Sequence, residues 1–233
     1  MRACRLPAVL CVCAPSLLGR LFYWSLHMIF YTADLHFGSD RTLRRDARPF
    51  ADVREMDERL IENWNATVSA DDTVYVVGDI GAHDAPIPAR QLRCLKGRKH
   101  LVRGNHDMGL PGQEALFEFF ETVTDLLEID DGDAHVTLCH YPVVRLSGLM
   151  VHGHLHAVRG EGYRALCGLP RALNAGVDVN GYRPVGLSEL IEHNRRFYGD
   201  PLRGAHGSQG ARRGGWGPCF LPLPQRPNSG ERT

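Results

Sequence analysis

Apolar positions recur along this chain in two rhythms, and the places where one gives way to the other outline its elements. Residues 28–33, 73–77 and 100–102 are short apolar runs, each stopping at a polar or glycine residue, which predicts buried strands. Between the first two, Val53, Met56, Leu60, Trp64 and Val68 follow at three- and four-residue spacing, so an amphipathic helix is predicted over residues 52–68. Asp52 with Glu55 three positions on resembles a capping box at its start. A short helix fits residues 89–95 with Gly97 as its stop, and another after Gly112 carries Leu116, Phe117 and Phe120 to the core. Residues 123–129 and 135–139 read as arms of a β-hairpin about Asp130-Asp131-Gly132-Asp133. A strand over 173–179 and a helix over 188–197 follow, while 38–50 and 82–88 read as polar loops. Strands alternating with helices predict an α/β sandwich.

The two ends lack these rhythms. Arg2 and Arg5 precede an apolar run over residues 6–18, but Pro7 and Pro15 interrupt it, no clean cleavage site follows, and it is too short for a membrane span. Residues 1–27 are therefore expected to be an extension outside the fold, with Met28 as the natural start of the first strand. From residue 199 to 233 glycine, proline and arginine dominate, which predicts a disordered tail.

A length of 233 residues suits one domain with a real core. Lys plus Arg equals Asp plus Glu, 27 against 27, so no global field draws the chain to nucleic acid or an anionic membrane. The seven cysteines are odd in number and show no zinc-type spacing; they read as reduced packing residues of a cytoplasmic protein.

The chemistry lies at the ends of the apolar runs: Asp34-Leu35-His36, Gly78-Asp79, Gly104-Asn105-His106-Asp107, His140, and His154-Leu155-His156. Any one of these is a common polar turn. Together they are an ordered series of metal-type ligands. This order resembles the calcineurin-like metallophosphoesterases, and with Arg48-Pro49-Phe50 and the run 173–184 it is most similar to compact bacterial members, over residues 28–198. The resemblance implies a four-layer α-β-β-α sandwich of two mixed sheets with a dinuclear metal site at the strand C-terminal edge. Asp34, His36 and His156 would hold one metal and Asn105, His140 and His154 the other, with Asp79 bridging. His106 would stand off the metals beside the substrate phosphate, as general acid, and Asn105 would touch the phosphate too.

Imidazole mixed with carboxylate favours manganese, iron or zinc over calcium. Two such ions roughly 3.5–4 Å apart need bridging anions, and a bridging hydroxide can attack phosphorus in line. With two carboxylates and that hydroxide, the divalent pair keeps a positive charge that attracts phosphate. Arg103 is left between two roles, phosphate contact and structural ion pair. Asp107 is a candidate loop brace, and His152 a support for the ligand loop rather than a ligand. The remaining histidines, His83 among them, read as surface or satisfied core residues.

The expected function is hydrolysis of small phosphodiesters or phosphomonoesters, with no nucleic-acid or membrane partner. Protein phosphatases of the superfamily carry Gly-Asp-x-Val-Asp-Arg-Gly at the second motif, whereas Gly78-Asp79 is followed here by Ile80-Gly81-Ala82-His83-Asp84. The missing Asp-Arg pair removes an orienter for His106 and a phosphate-binding arginine. Ser39 stands where compact relatives often have histidine. A non-catalytic metal-binding scaffold and a nuclease are the competing readings. The first predicts lost ligands and the second a basic groove, and the sequence offers neither. The loops that would choose the substrate, including 157–170, contain no readable code.

Overall fold

The computed structural model describes residues 27–199, apart from 87, 109–111, 113, 145–146, 168 and 170. The expected N-terminal extension, except residue 27, and the expected tail, except residue 199, lie outside the described residues. Two four-stranded sheets form the centre. The first contains β1 (Ile29–Thr32), β2 (Thr73–Val76), β3 (Arg98–Val102) and β4 (Thr122–Thr124), in that order and all parallel. The second contains β5 (Leu126–Asp131), β6 (Ala134–Cys139), β7 (Leu149–His152) and β8 (Ala172–Asn174); β5 is antiparallel to β6, and the rest run parallel. Only the second is mixed among its named strands, although a bridge from Tyr31 to Val185 adds an antiparallel pairing beside β1.

Period-two alternation sorts the side chains between layers. Val74, Val76 and Leu101 face a core shared with α1 (Asp40–Arg45), α2 (Val53–Thr67), α3 (Ala89–Cys94) and α4 (Glu114–Phe117), through Leu43, Met56, Leu60, Trp64, Leu92 and Leu116. Their neighbours Val77 and Val102, with Tyr31 and Ala33, face the opposite core and meet Val136, Leu138, Val151 and Leu173 of the second sheet. On the far side, α5 (Glu161–Cys167) packs on α6 (Leu187–Tyr198), which lies against β8 and β1, the end strands of the two sheets.

Four local expectations change. The stretch 38–50 contains α1, whose N-cap Ser39 accepts a hydrogen bond from the Thr42 amide. It is too short, and has too few apolar positions, to reveal a helical period. The run 123–129 is not one hairpin arm: Asp125 carries the chain from the first sheet to the second, and β5 alone pairs with β6. Of 173–179, only Asn174 and Leu173 are strand; the rest turns under the site. The stretch 157–170 contains α5. Cys94 and Cys167 are exposed rather than packed, while Cys94, Cys139 and Cys167 are all free thiols. Among the described residues no helix is long and apolar enough to cross a membrane.

Candidate metal centre

Parallel strands all end at one edge, and here six of them deliver polar loops to it: β1, β2, β3, β6, β7 and β8. The sheets are stitched together there, since the Val177 amide donates to the Ala33 carbonyl at 3.0 Å, while within the first sheet Asp34 N donates to Gly78 O at 3.0 Å. Asp34, His36, Asp79, His154 and His156 all have φ between 48 and 71°. This left-handed region costs an L-residue about 1–2 kcal/mol, and Asp and His tolerate it better than branched residues. The loops turn that sharply to aim side chains inward, which is where such strain is retained. Close approach also demands glycine: a Cβ at Gly78 would lie 2.2 Å from His140 Nδ1, and one at Gly104 2.2 Å from Asp79 Oδ1.

All seven expected ligands converge. Asp34, His36 and His156 offer atoms within 4.8 Å of one another, and so do Asp79, His140 and His154. Asn105 Oδ1 joins the second group, 2.9 Å from His154 Nδ1 and 3.2 Å from His140 Nε2. Asp79 Oδ2 lies between the groups, 3.6 Å from His36 Nε2 and 3.4 Å from His140 Nε2. His106 also offers a ring nitrogen within 4.8 Å of ligand-type atoms of His36 and Asp79.

Hydrogen bonds behind the rings fix which nitrogen faces the centre. His36 Nδ1 donates to Gly81 O at 3.1 Å, and His140 Nδ1 to Val77 O at 2.9 Å. His156 Nδ1 is shared by Asp46 Oδ2 at 2.9 Å and Asp178 Oδ2 at 3.1 Å. With Nδ1 protonated, a neutral ring turns its Nε2 lone pair inward, as in metal sites where a carboxylate or carbonyl orients the ligand histidine. His36 Nε2 and His156 Nε2 then face each other across 3.3 Å. Asp34 Oδ1 accepts the His154 amide at 3.0 Å, but buried Asp34 Oδ2 has no partner.

The electrostatics follow from burial against charge. Burial raises the Asp34 carboxyl to about 6, against the pull of His156 and His140. For Asp79 burial acts the same way, but hydrogen bonding and charge from His140 win and hold it at about 2. Burial would lower both His140 and His156. Asp79 and Asp34 raise the first to about 9, and Asp178, Asp46 and Asp34 raise the second to about 10. His36 is pushed down to about 3, chiefly by burial. The carboxylates thus favour the protonated forms of His140 and His156, and a cation binding at their Nε2 atoms would displace those protons.

Asp107 braces the loops: Oδ2 accepts the Asp79 amide at 2.7 Å and the Gly104 amide at 2.8 Å, and Oδ1 accepts Ile80 N at 3.0 Å. Arg103 forms the ion pair, donating to Asp125 at 2.8 and 2.7 Å. His152 is buried behind the ligand loop with Nδ1 on Gly153 O at 2.8 Å. His83 is exposed, as a surface residue is expected to be, and its ring centroid lies 4.5 Å from that of His106. Ser39 donates to Asp84 at 2.9 Å and caps α1 rather than facing the ligands.

Sequence reasoning assigned no role to the layer behind His156. Buried Arg48 grips Asp178 with Nε at 2.9 Å and Nη2 at 3.0 Å, and also donates to the Asp34 and Leu35 carbonyls at 2.7 and 2.9 Å. The family-like runs containing Arg48 and Asp178 were the available signal. Asp46 had none, since it sits in a stretch read as loop.

Fold and site together define an α/β phosphoesterase sandwich with metal-type ligands at its strand ends. The chain belongs to the calcineurin-like phosphoesterase family, whose sequence profile matches residues 27–194. It is 30% identical to an uncharacterised protein of Methanocaldococcus jannaschii over 170 residues, 72% of this chain and 92% of the relative. It is 31% identical to the Gene 66 protein of Mycobacterium phage L5, covering 55% of this chain and 77% of that one. A protein of unknown function from Aquifex aeolicus has a similar structure, with TM-score 0.56 and 25% identity over 71% of this chain and 98% of its own. Membership makes the chain a metal-dependent phosphoesterase at the level of the family.

Proposed function

We propose that this protein hydrolyses small phosphodiesters or phosphomonoesters at two divalent transition ions, manganese, iron or zinc, held between the sheets. One observation carries the reading: Asp34 Oδ2 is buried without a partner in a cage where His36 and His156 turn Nε2 toward each other at 3.3 Å. A buried carboxylate oxygen left unpaired costs free energy that a cation recovers. Asp34, His36 and His156 suit one ion, and Asn105, His140 and His154 the other, with Asp79 shared. When bound, such ions supply Lewis-acid charge for phosphoryl oxygens and lower the pKa of a coordinated water.

The chain's own residues supply position and protons. Asp107 holds the loops of Asp79 and Asn105 in one orientation through three backbone amides. The His106 amide donates to Asp79 Oδ1 at 2.8 Å, which sets that ring beside the ligands. Burial lowers the His106 pKa while the Asp79 charge raises it, and the net shift is downward. A protonated His106 ring hands its proton to the leaving alkoxide, the difficult step for an unactivated ester.

The test is hydrolysis of bis- and mono-p-nitrophenyl phosphate by metal-reconstituted protein, with elemental analysis of the same sample. The reading expects two bound ions and turnover of at least one ester. Stoichiometric ions with no turnover of any phosphoester would favour the scaffold reading instead.

A further inference from the structure

The second motif, Gly78-Asp79-Ile80-Gly81-Ala82, carries no arginine, and α1 brings one to the edge of the ligand cluster. Arg45, in the last turn of α1, lies with Nη2 3.3 Å from His156 Nε2, the nitrogen that faces the centre. It lines a cleft of about 270 Å³ with Arg41, Thr42, His83, Asp84 and His106. From these contacts we infer that Arg45 is a substrate-binding residue that grips the non-bridging oxygens of the phosphate. The inference rests on the phosphoesterase reading of the site.

Geometry and charge both support it. A guanidinium has five N–H donors in a planar fork. Arg45 Nε and one Nη2 hydrogen go to Asp46, at 2.8 and 3.0 Å, while Nη1 has no hydrogen bond among the described residues. Asp46 is itself fixed, since His156 Nδ1 lies 2.9 Å from Oδ2 and the Asp46 amide donates to Thr42 O at 3.1 Å. The ion pair therefore straddles one imidazole, its anion behind the ring and its cation at the face that meets the ligands. Asp46 offsets the Arg45 charge from one side, and an anion lying between Arg45 and a cation site would be attracted by both. The anion this reaction brings is phosphate, and Nη1, with its two unused hydrogens, is the part of the fork left to meet its oxygens. Of the neighbouring arginines, Arg48 is committed to Asp178 and two carbonyls and Arg103 to Asp125, while Arg41 lines the same cleft without the contact to His156 that Arg45 makes.

The test compares wild type with Arg45→Ala and Arg45→Lys after metal loading. Three quantities are read: bound metal by elemental analysis, inorganic phosphate binding by calorimetry, and kcat/KM on p-nitrophenyl phosphate esters. The expected result is unchanged metal content, phosphate binding weakened at least tenfold, and kcat/KM down about 10²-fold in Arg45→Ala. Arg45→Lys should recover part of the loss, because it restores the charge without the fork. If Arg45→Ala does not fold, Arg45→Lys carries the comparison alone, with weakened phosphate binding at full metal content. Phosphate binding and kcat/KM equal to wild type would overturn the inference while leaving the phosphoesterase reading intact. Loss of metal with loss of phosphate would also overturn it, and make Arg45 a positioning residue acting through Asp46 and His156. Failure of wild type to bind metal or hydrolyse either ester would remove the reading beneath it.

Discussion

The two halves of the candidate centre are held differently. Asp34, His36 and His156 are all buried, and both rings are tied from behind, one to Gly81 O and the other to Asp46 and Asp178. Arg48 reaches the Asp34 carbonyl and locks Asp178, which in turn holds His156, so one buried side chain supports both segments of this half. In the other half only His140 has such an anchor. The side chains of His154 and Asn105 are half-buried and bond to each other at 2.9 Å. A rigid, pre-oriented half should take its ion tightly, while the looser half organises around its ion and stands open to substrate.

Removing the shared ligand should erase the distinction altogether. Asp79→Asn is expected to lose both ions and all hydrolysis above background, measured by elemental analysis and by assay. Retained activity would mean that the halves do not share Asp79. His106→Ala should keep both ions and lower kcat about 10²–10⁴-fold, most for esters with poor leaving groups. A series of leaving groups checks this, and a flat dependence on leaving-group pKa would exclude proton donation by His106.

Asp178→Asn acts on one half only. It should weaken the tighter ion about 10–100-fold in a metal titration, and leave the looser one nearly unchanged. His154→Ala should do the reverse, leaving one tight ion of the pair. Chelation should lower Tm, because an ion at a hundredfold excess over its Kd stabilises the fold by about 2.7 kcal/mol. For a chain of this size that is several degrees, read by calorimetry with and without chelator. The smallest effect belongs to a residue in neither half. Arg103→Ala breaks an exposed ion pair and should cost about 1 kcal/mol or less in urea unfolding.

Residue type and strand-end position made the candidate ligands legible. A strand delivers whatever follows it to the sheet edge, so Asp34, Asp79, Asn105 and His140 could be placed without knowing the packing. The rhythm of α2 was legible for a similar reason: it buries one continuous face, and Asp52 does cap it, accepting the Glu55 amide at 2.8 Å. Glu55 reaches back to the Ala51 amide at 2.7 Å rather than to that of Asp52, a variant no spacing rule anticipates. What stayed hidden was of three kinds. α1 and α5 are too short to show a period. The crossing at Asp125 depends on two sheets meeting in space, while both strands around it have the same β-rich composition. The support around His156 joins Arg45, Asp46, Arg48 and Asp178, and nothing local relates residue 48 to residue 178.

The most direct measurement is a crystal structure of metal-loaded protein with anomalous diffraction at the metal edge. The account predicts two peaks, one enclosed by Asp34, His36 and His156, the other by Asn105, His140 and His154, with Asp79 touching both. A single peak between Asp46 and Asp178, or none at all in active protein, would contradict it.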